Sequence, residues 1–152
     1  MVGTIDISDS KQLTIFSSNG SAITRLFSFQ MHMLWLSGLG TKLTLREIRL
    51  DGHSNYAILN AIYNTDTAKL VLNPGAVIQN NNIKQTSTSP DYLNGGGVFN
   101  SNSVIIMNGG AISGNRASLH GGGVYNNGTF TMNGGTISDN TATNNSGGGV
   151  FN

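Results

Sequence analysis

The hexapeptide GGGVFN stands at residues 95–100, returns as GGGVYN at 121–126 and again as GGGVFN at 147–152, two steps of 26 residues. A second motif follows the same period: IIMNGGAISGN at 105–115 is matched by FTMNGGTISDN at 130–140, with one residue fewer in the linker before Phe130. Degenerate copies precede them, LVLNPGAVIQN at 70–80, LTLREIRLDGH at 43–53 and LTIFSSNGSAIT at 13–24, and YAILN at 56–60 reads as a glycine-poor GGVFN. A fixed period of this length is the signature of a solenoid, whose units bury their apolar faces only against one another.

Each unit holds three short strand candidates, around 124–125, 129–132 and 136–138 in the last full copy, separated by corners rich in Gly and Asn. Three strands and three corners in about 26 residues suit one coil of a parallel β-helix, where each strand pairs with its equivalent one coil away at about 4.8 Å. The Asn-Gly dipeptides would also suit type I′ hairpin turns, but hairpins do not require a strict period. The expected fold class is all-β, a parallel β-helix (solenoid) of about five coils with three short strands each and no substantial helix. Residues 1–42 read as irregular N-terminal coils, 43–94 as degenerate coils with a loop insertion at 81–94, and 95–152 as the regular repeats of one β-helix.

Alternation along a strand assigns side-chain direction. Leu13/Ile15, Leu43/Leu45, Leu70/Leu72, Ile105/Met107 and Phe130/Met132 are expected inside, with Thr14, Thr44, Val71, Ile106 and Thr131 outside. Leu50, Val77, Ile112 and Ile137 form another inward column, and Ile58, Val98, Val124 and Val150 a third. The asparagines fall into three columns: Asn60, Asn100, Asn126, Asn152; Asn73, Asn108, Asn133; and Asn80, Asn115, Asn140. A stacked Asn amide can donate to the Asn one coil away and bond backbone groups stranded at a bend, so these columns read as structural ladders. The run RLFSFQMHMLWL at 25–36 is too short and too polar to span a bilayer. It reads as a half-buried strand with Phe27, Phe29, Met31, Met33 and Trp35 on one side.

Composition narrows the chemistry. Eight basic and seven acidic residues are scattered singly, which offers neither a phosphate-backbone stripe for nucleic acid nor a polybasic membrane patch. Without cysteine there are no disulfides and no thiolate metal sites. The acids are Asp6, Asp9, Glu47, Asp51, Asp66, Asp91 and Asp139; Asp51 and Asp139 lie three coils apart, about 14 Å at sheet spacing, too far for an acid/base pair. Glu47 and Asp51 share a coil with Arg46 and Arg49 and read as a solvated ion-pair patch. No two of His32, His53 and His120 fall at a metal-ligand spacing or in one column of the repeat, so no metal and no cofactor is expected. GGTISDN lacks the third glycine of the calcium nonapeptide, with Ile137 in its place, and has Thr141 at the apolar position. The single outward column from Thr14 to Thr131 is too narrow and broken for an ice-binding array.

GGAI at 109–112, GGTI at 134–137 and FNSN at 99–102, with YNNG at 125–128 as a variant, resemble the tetrapeptides of polymorphic outer-membrane proteins. The chain is similar to right-handed parallel β-helix repeat proteins of the pectate-lyase-like superfamily, of the Gly/Asn-rich adhesin-like type. The resemblance implies a right-handed coil, display at the cell surface or secretion, and a non-enzymatic adhesin, passenger or stalk that contacts host or bacterial surface glycan or protein. It also implies an alternative, a fragment of a polysaccharide lyase or glycosidase whose catalytic residues lie elsewhere. No catalytic residue is assigned here, and the ligand-binding residues are left open. GGGVFN at 147–152 reads as the first strand of an unfinished coil, so further coils and an anchoring domain are expected beyond it.

Overall fold

A computed structural model describes residues 5–19, 21–24, 32–53, 59–83 and 89–152. The chain winds as a parallel β-helix of about five coils. The first coil carries β1 (Ile5–Ile7), β2 (Gln12–Phe16) and β3 (Ala22–Thr24), the second β4 (Leu34–Leu36), β5 (Lys42–Arg46) and β6 (Arg49–Asp51). The third has β7 (Ile62–Asn64), β8 (Lys69–Leu72) and β9 (Val77–Gln79), and the fourth β10 (Val98–Met107), β11 (Ala111–Ser113) and β12 (Arg116–Ala117). The fifth has β13 (Val124–Met132), β14 (Thr136–Ser138) and β15 (Thr141–Ala142), and β16 (Val150–Phe151) opens the next. All pairings among the described residues are parallel, which rules out the hairpin reading of the Asn-Gly dipeptides.

Two expected strands are one in the regular repeats. β10 and β13 run through the first bend, and their register steps between Ser101 and Val104, where Asn102 and Ser103 face the single Gly128. That step is the missing linker residue noted in the sequence. The only helical element described is a four-residue 3-10 turn at Pro90–Leu93.

Inside, stacked columns of like residues form one apolar core. Leu43–Leu70–Ile105, Leu45–Leu72–Met107, Leu50–Ile78–Ile112 and Leu34–Ile62–Val98–Val124 are fully buried, each side chain contributing about 1.5–3 kcal/mol. Leu13 and Met132, expected inside, are 40% and 45% exposed because each has a neighbouring coil on one side only.

Five expected positions are corrected. Ile78, not Val77, pairs with Leu50 and Ile112, because the corner from Asn73 to Ala76 is one residue longer than its equivalent in the fourth coil. The same offset puts Asn81, not Asn80, on Asn115: both the Asn81 N–H and its Nδ2 donate to Asn115 Oδ1, at 3.1 and 2.9 Å. Ile62 and Asn64, not Ile58 and Asn60, pair with Val98 and Asn100. Ile58 lies outside the described residues; Asn60 is buried and donates to the carbonyls of Asn94 and Gly95. Met33 is buried in the core as expected, but Leu34 and Leu36 are fully buried and Trp35 is outside, while Phe27, Phe29 and Met31 lie outside the described residues.

The insertion at 81–94 is partly folded onto the coil. Asn82 bridges to Arg116, and Ile83 and Leu93 bury against Ala117 and Leu119 in a small second core. Asn94 ties the segment down, its Nδ2 donating to Pro90 O at 3.0 Å and its Oδ1 accepting from the His120 N–H at 2.9 Å.

The GGG motif is explained by the stacking. Gly121 takes φ +65°, and a Cβ on Gly122 would sit 2.4 Å from Gly148 O and from Thr141 N. Gly122→Ala is therefore expected to cost about 1–3 kcal/mol in thermal unfolding. Gly149→Ala, whose Cβ would meet only Ile137 Cγ2 at 3.5 Å, should stay within about 0.5 kcal/mol.

Candidate functional site

The first strand of each coil puts one residue outside between two that point in; in the first coil it is Asp6, the register partner of Trp35, and from the second coil onward it is aromatic. Those residues are Trp35, Tyr63, Phe99, Tyr125 and Phe151, in register across β4, β7, β10, β13 and β16. Parallel stacking brings like side chains face to face. Tyr63 and Phe99 stack at 4.7 Å and 4°, Phe99 and Tyr125 at 5.1 Å and 5°, Tyr125 and Phe151 at 5.5 Å and 7°. The result is an aromatic column along the outer face, parallel to the solenoid axis. The sequence reading missed it, although Phe99, Tyr125 and Phe151 recur with the 26-residue period.

At one end the column opens into a cluster. Trp35 turns 86° from Tyr63 at 5.9 Å and its Nε1 donates to Thr65 Oγ1 at 3.4 Å. His32, buried, stacks on Tyr63 at 4.4 Å, and Tyr92 from the 3-10 turn meets both rings edge-on at 5.5 and 5.9 Å. Burial, then the charge of Asp91, Tyr92 and the charge of Asp66, push the Tyr63 phenol up to about 12. The corresponding stability is fully present below the ordinary value of 10.0 and is lost as pH rises through about 12. Spectrophotometric titration should find one tyrosine ionising near 12, and Asp91→Asn should bring it back toward 10.0.

Beneath this column the asparagine ladder closes the bend. Asn64, Asn100 and Asn126 each donate Nδ2 to the next Oδ1 at 2.6 Å, ending on Asn152, and also to the carbonyls of Val104, Ser103 and Gly128. The second ladder, Asn73–Asn108–Asn133, stands as expected but in solvent, with bonds of 3.1 and 2.9 Å.

The other candidate groups lie apart. Asp51 is held by the His53 N–H and by Gln79 Nε2 at 2.9 and 2.7 Å, with Asn80 Nδ2 at 3.3 Å. Burial raises its carboxyl, but those hydrogen bonds and the charge of Arg49 outweigh it and leave it below the ordinary value. Asp51 is thus held by amides as well as by the charge of Arg49, and Arg46 lies 5.3 Å over the Phe16 ring. Asp139, like Asn80 and Gly114, occupies a left-handed corner position, φ 56°, where Asp, Asn and Gly are tolerated. His120 packs on Phe151 at 4.3 Å, and Asp51 and Asp139 stand three strands apart in the β6–β9–β11–β14 sheet. Among the described residues no group of three His, Asp or Glu side chains could hold a metal ion.

The fold places the chain among the parallel β-helix proteins. No family model matches the sequence, and no significant match is found among curated proteins or solved structures.

Proposed function

We propose that the chain is a non-enzymatic β-helical stalk of adhesin or passenger type, displayed at a cell surface or secreted, which contacts glycan through the open end of its outer aromatic column. The observation that supports this is the aromatic cluster in which Trp35 and Tyr92 each meet the Tyr63 ring edge-on, at 5.9 Å in both cases. The indole is 41% exposed and turned off the stack, and the charges of Asp91 and Asp66 act on the Tyr63 phenol between the two. Aromatic area with a few convergent polar groups is what a sugar ring, apolar on its faces and polar at its rim, requires.

Trp35 is the sole tryptophan of the chain, so its fluorescence reports this position alone. Titration with a panel of oligosaccharides is expected to give a saturable change with at least one, and Tyr92→Ala should abolish it. If no sugar perturbs Trp35, the reading fails. New reducing ends or unsaturated products in the same samples would favour the alternative, a glycan-degrading enzyme.

A further inference from the structure

A different part of the same sheet carries a groove of about 290 Å³, lined by Gln12, Leu39, Thr41, Lys42, Thr67 and Lys69. Two of its lysines are stacked: Lys42 of β5 is the register partner of Lys69 of β8. Neighbouring strands lie about 4.8 Å apart, and like charges directly opposite one another destabilise a sheet. Elsewhere the solenoid stacks like residues that attract, leucines, aromatic rings and amides, so the lysine pair is the exception to its own construction. The nearby carboxylates lean toward other groups. Asp9 accepts from the Ser8 hydroxyl at 3.4 Å, and Asp66 Oδ2 lies 3.2 Å from the Thr65 hydroxyl, on the Trp35 side of the corner.

We propose that this groove binds a phosphate monoester. Two lysines on adjacent strands, both lining the groove, match a compact group with several acceptor oxygens and a charge near −2, which a single carboxylate lacks. Gln12 continues the row one strand further, paired with Lys42, and adds an amide donor. Leu39, 79% exposed, forms an apolar wall beside them. It suits the C–H face of a small polyhydroxy body, so the ligand class is a sugar phosphate, either free or at the end of a polymer. The volume admits about one such residue, at the low end of small-ligand clefts.

The test is calorimetric and amide-NMR titration of the intact chain with glucose 6-phosphate, inorganic phosphate and glucose. Saturable binding of glucose 6-phosphate with shifts at Thr41, Lys42, Thr67 and Lys69, and none with glucose, is expected. Inorganic phosphate binding as tightly would still support the oxyanion site and would assign it to the free ion. The K42Q/K69Q double variant should lose about tenfold or more in affinity, and K42R/K69R should retain binding. Because the Gln variant removes a repulsion, its melting temperature should equal or exceed that of the parent, so lost affinity would not reflect lost fold. Trp35→Ala should leave phosphate binding unchanged, which separates this site from the aromatic one. Absence of saturable binding, equal binding of glucose, or undiminished affinity in K42Q/K69Q would overturn the proposal.

Discussion

Replacing Asn100 with alanine should destabilise the solenoid by about 3–5 kcal/mol in equilibrium unfolding. Asn100 is fully buried and stands in the middle of the inner ladder. It accepts from Asn64 at 2.6 Å and donates to Asn126 Oδ1 at 2.6 Å and to Ser103 O at 3.1 Å. Truncation would leave two acceptors without this donor and one donor without its acceptor, each costing about 1–3 kcal/mol where water cannot enter. Asn64 retains its bond to Val104 O, which keeps the total below the simple sum. The control is Asn108→Ala in the exposed ladder, where water replaces the lost partners and the cost should stay below about 1 kcal/mol. Equal losses at the two positions would show that the inner ladder is not a buried network.

The second large effect is expected in the core. Leu70 is fully buried between Leu43 and Ile105, one coil on either side. Coil spacing is set by backbone pairing and by the ladders, so the coils cannot close on a void. Leu70→Ala should accordingly fall in the upper part of the usual range, about 3–5 kcal/mol. Met132→Ala, at a side chain 45% exposed, should cost less than about 1 kcal/mol in the same assay. Ile137, inward by sequence pattern, is only partly buried and should rank between them. A melting temperature lowered equally by Leu70→Ala and Met132→Ala would mean that the last full coil is as tightly packed as the middle of the stack.

Nearest-neighbour stacking also explains why both proposed binding sites lie outside the coil. Leucines and asparagines that must match the next coil are held in place by it, whereas an outward residue is free of that constraint except where two such residues meet. Tyr63, Phe99 and Tyr125 meet favourably. Lys42 and Lys69 do not, and the groove they line is where a ligand would relieve the conflict.

What the sequence by itself determined was the coil: the recurrence of GGGV[F/Y]N, the inward columns at Ile105, Met107 and Ile112, and the Asn73–Asn108–Asn133 ladder. These features repeat because each coil must match its neighbour, and repetition is visible in a string of letters. The aromatic column was legible in the same way at Phe99, Tyr125 and Phe151, but its members look unlike one another at Tyr63 and Trp35. Tertiary structure alone decided the register of the older, degenerate coils. Successive side chains of a strand point to opposite faces, so a single extra residue at the corner before Ala76 exchanges Val77 for Ile78 and Asn80 for Asn81. Only the packing of whole coils, which charges every misplaced side chain the cost of exposure or burial, selects between such alternatives. It alone turns Trp35 off the column.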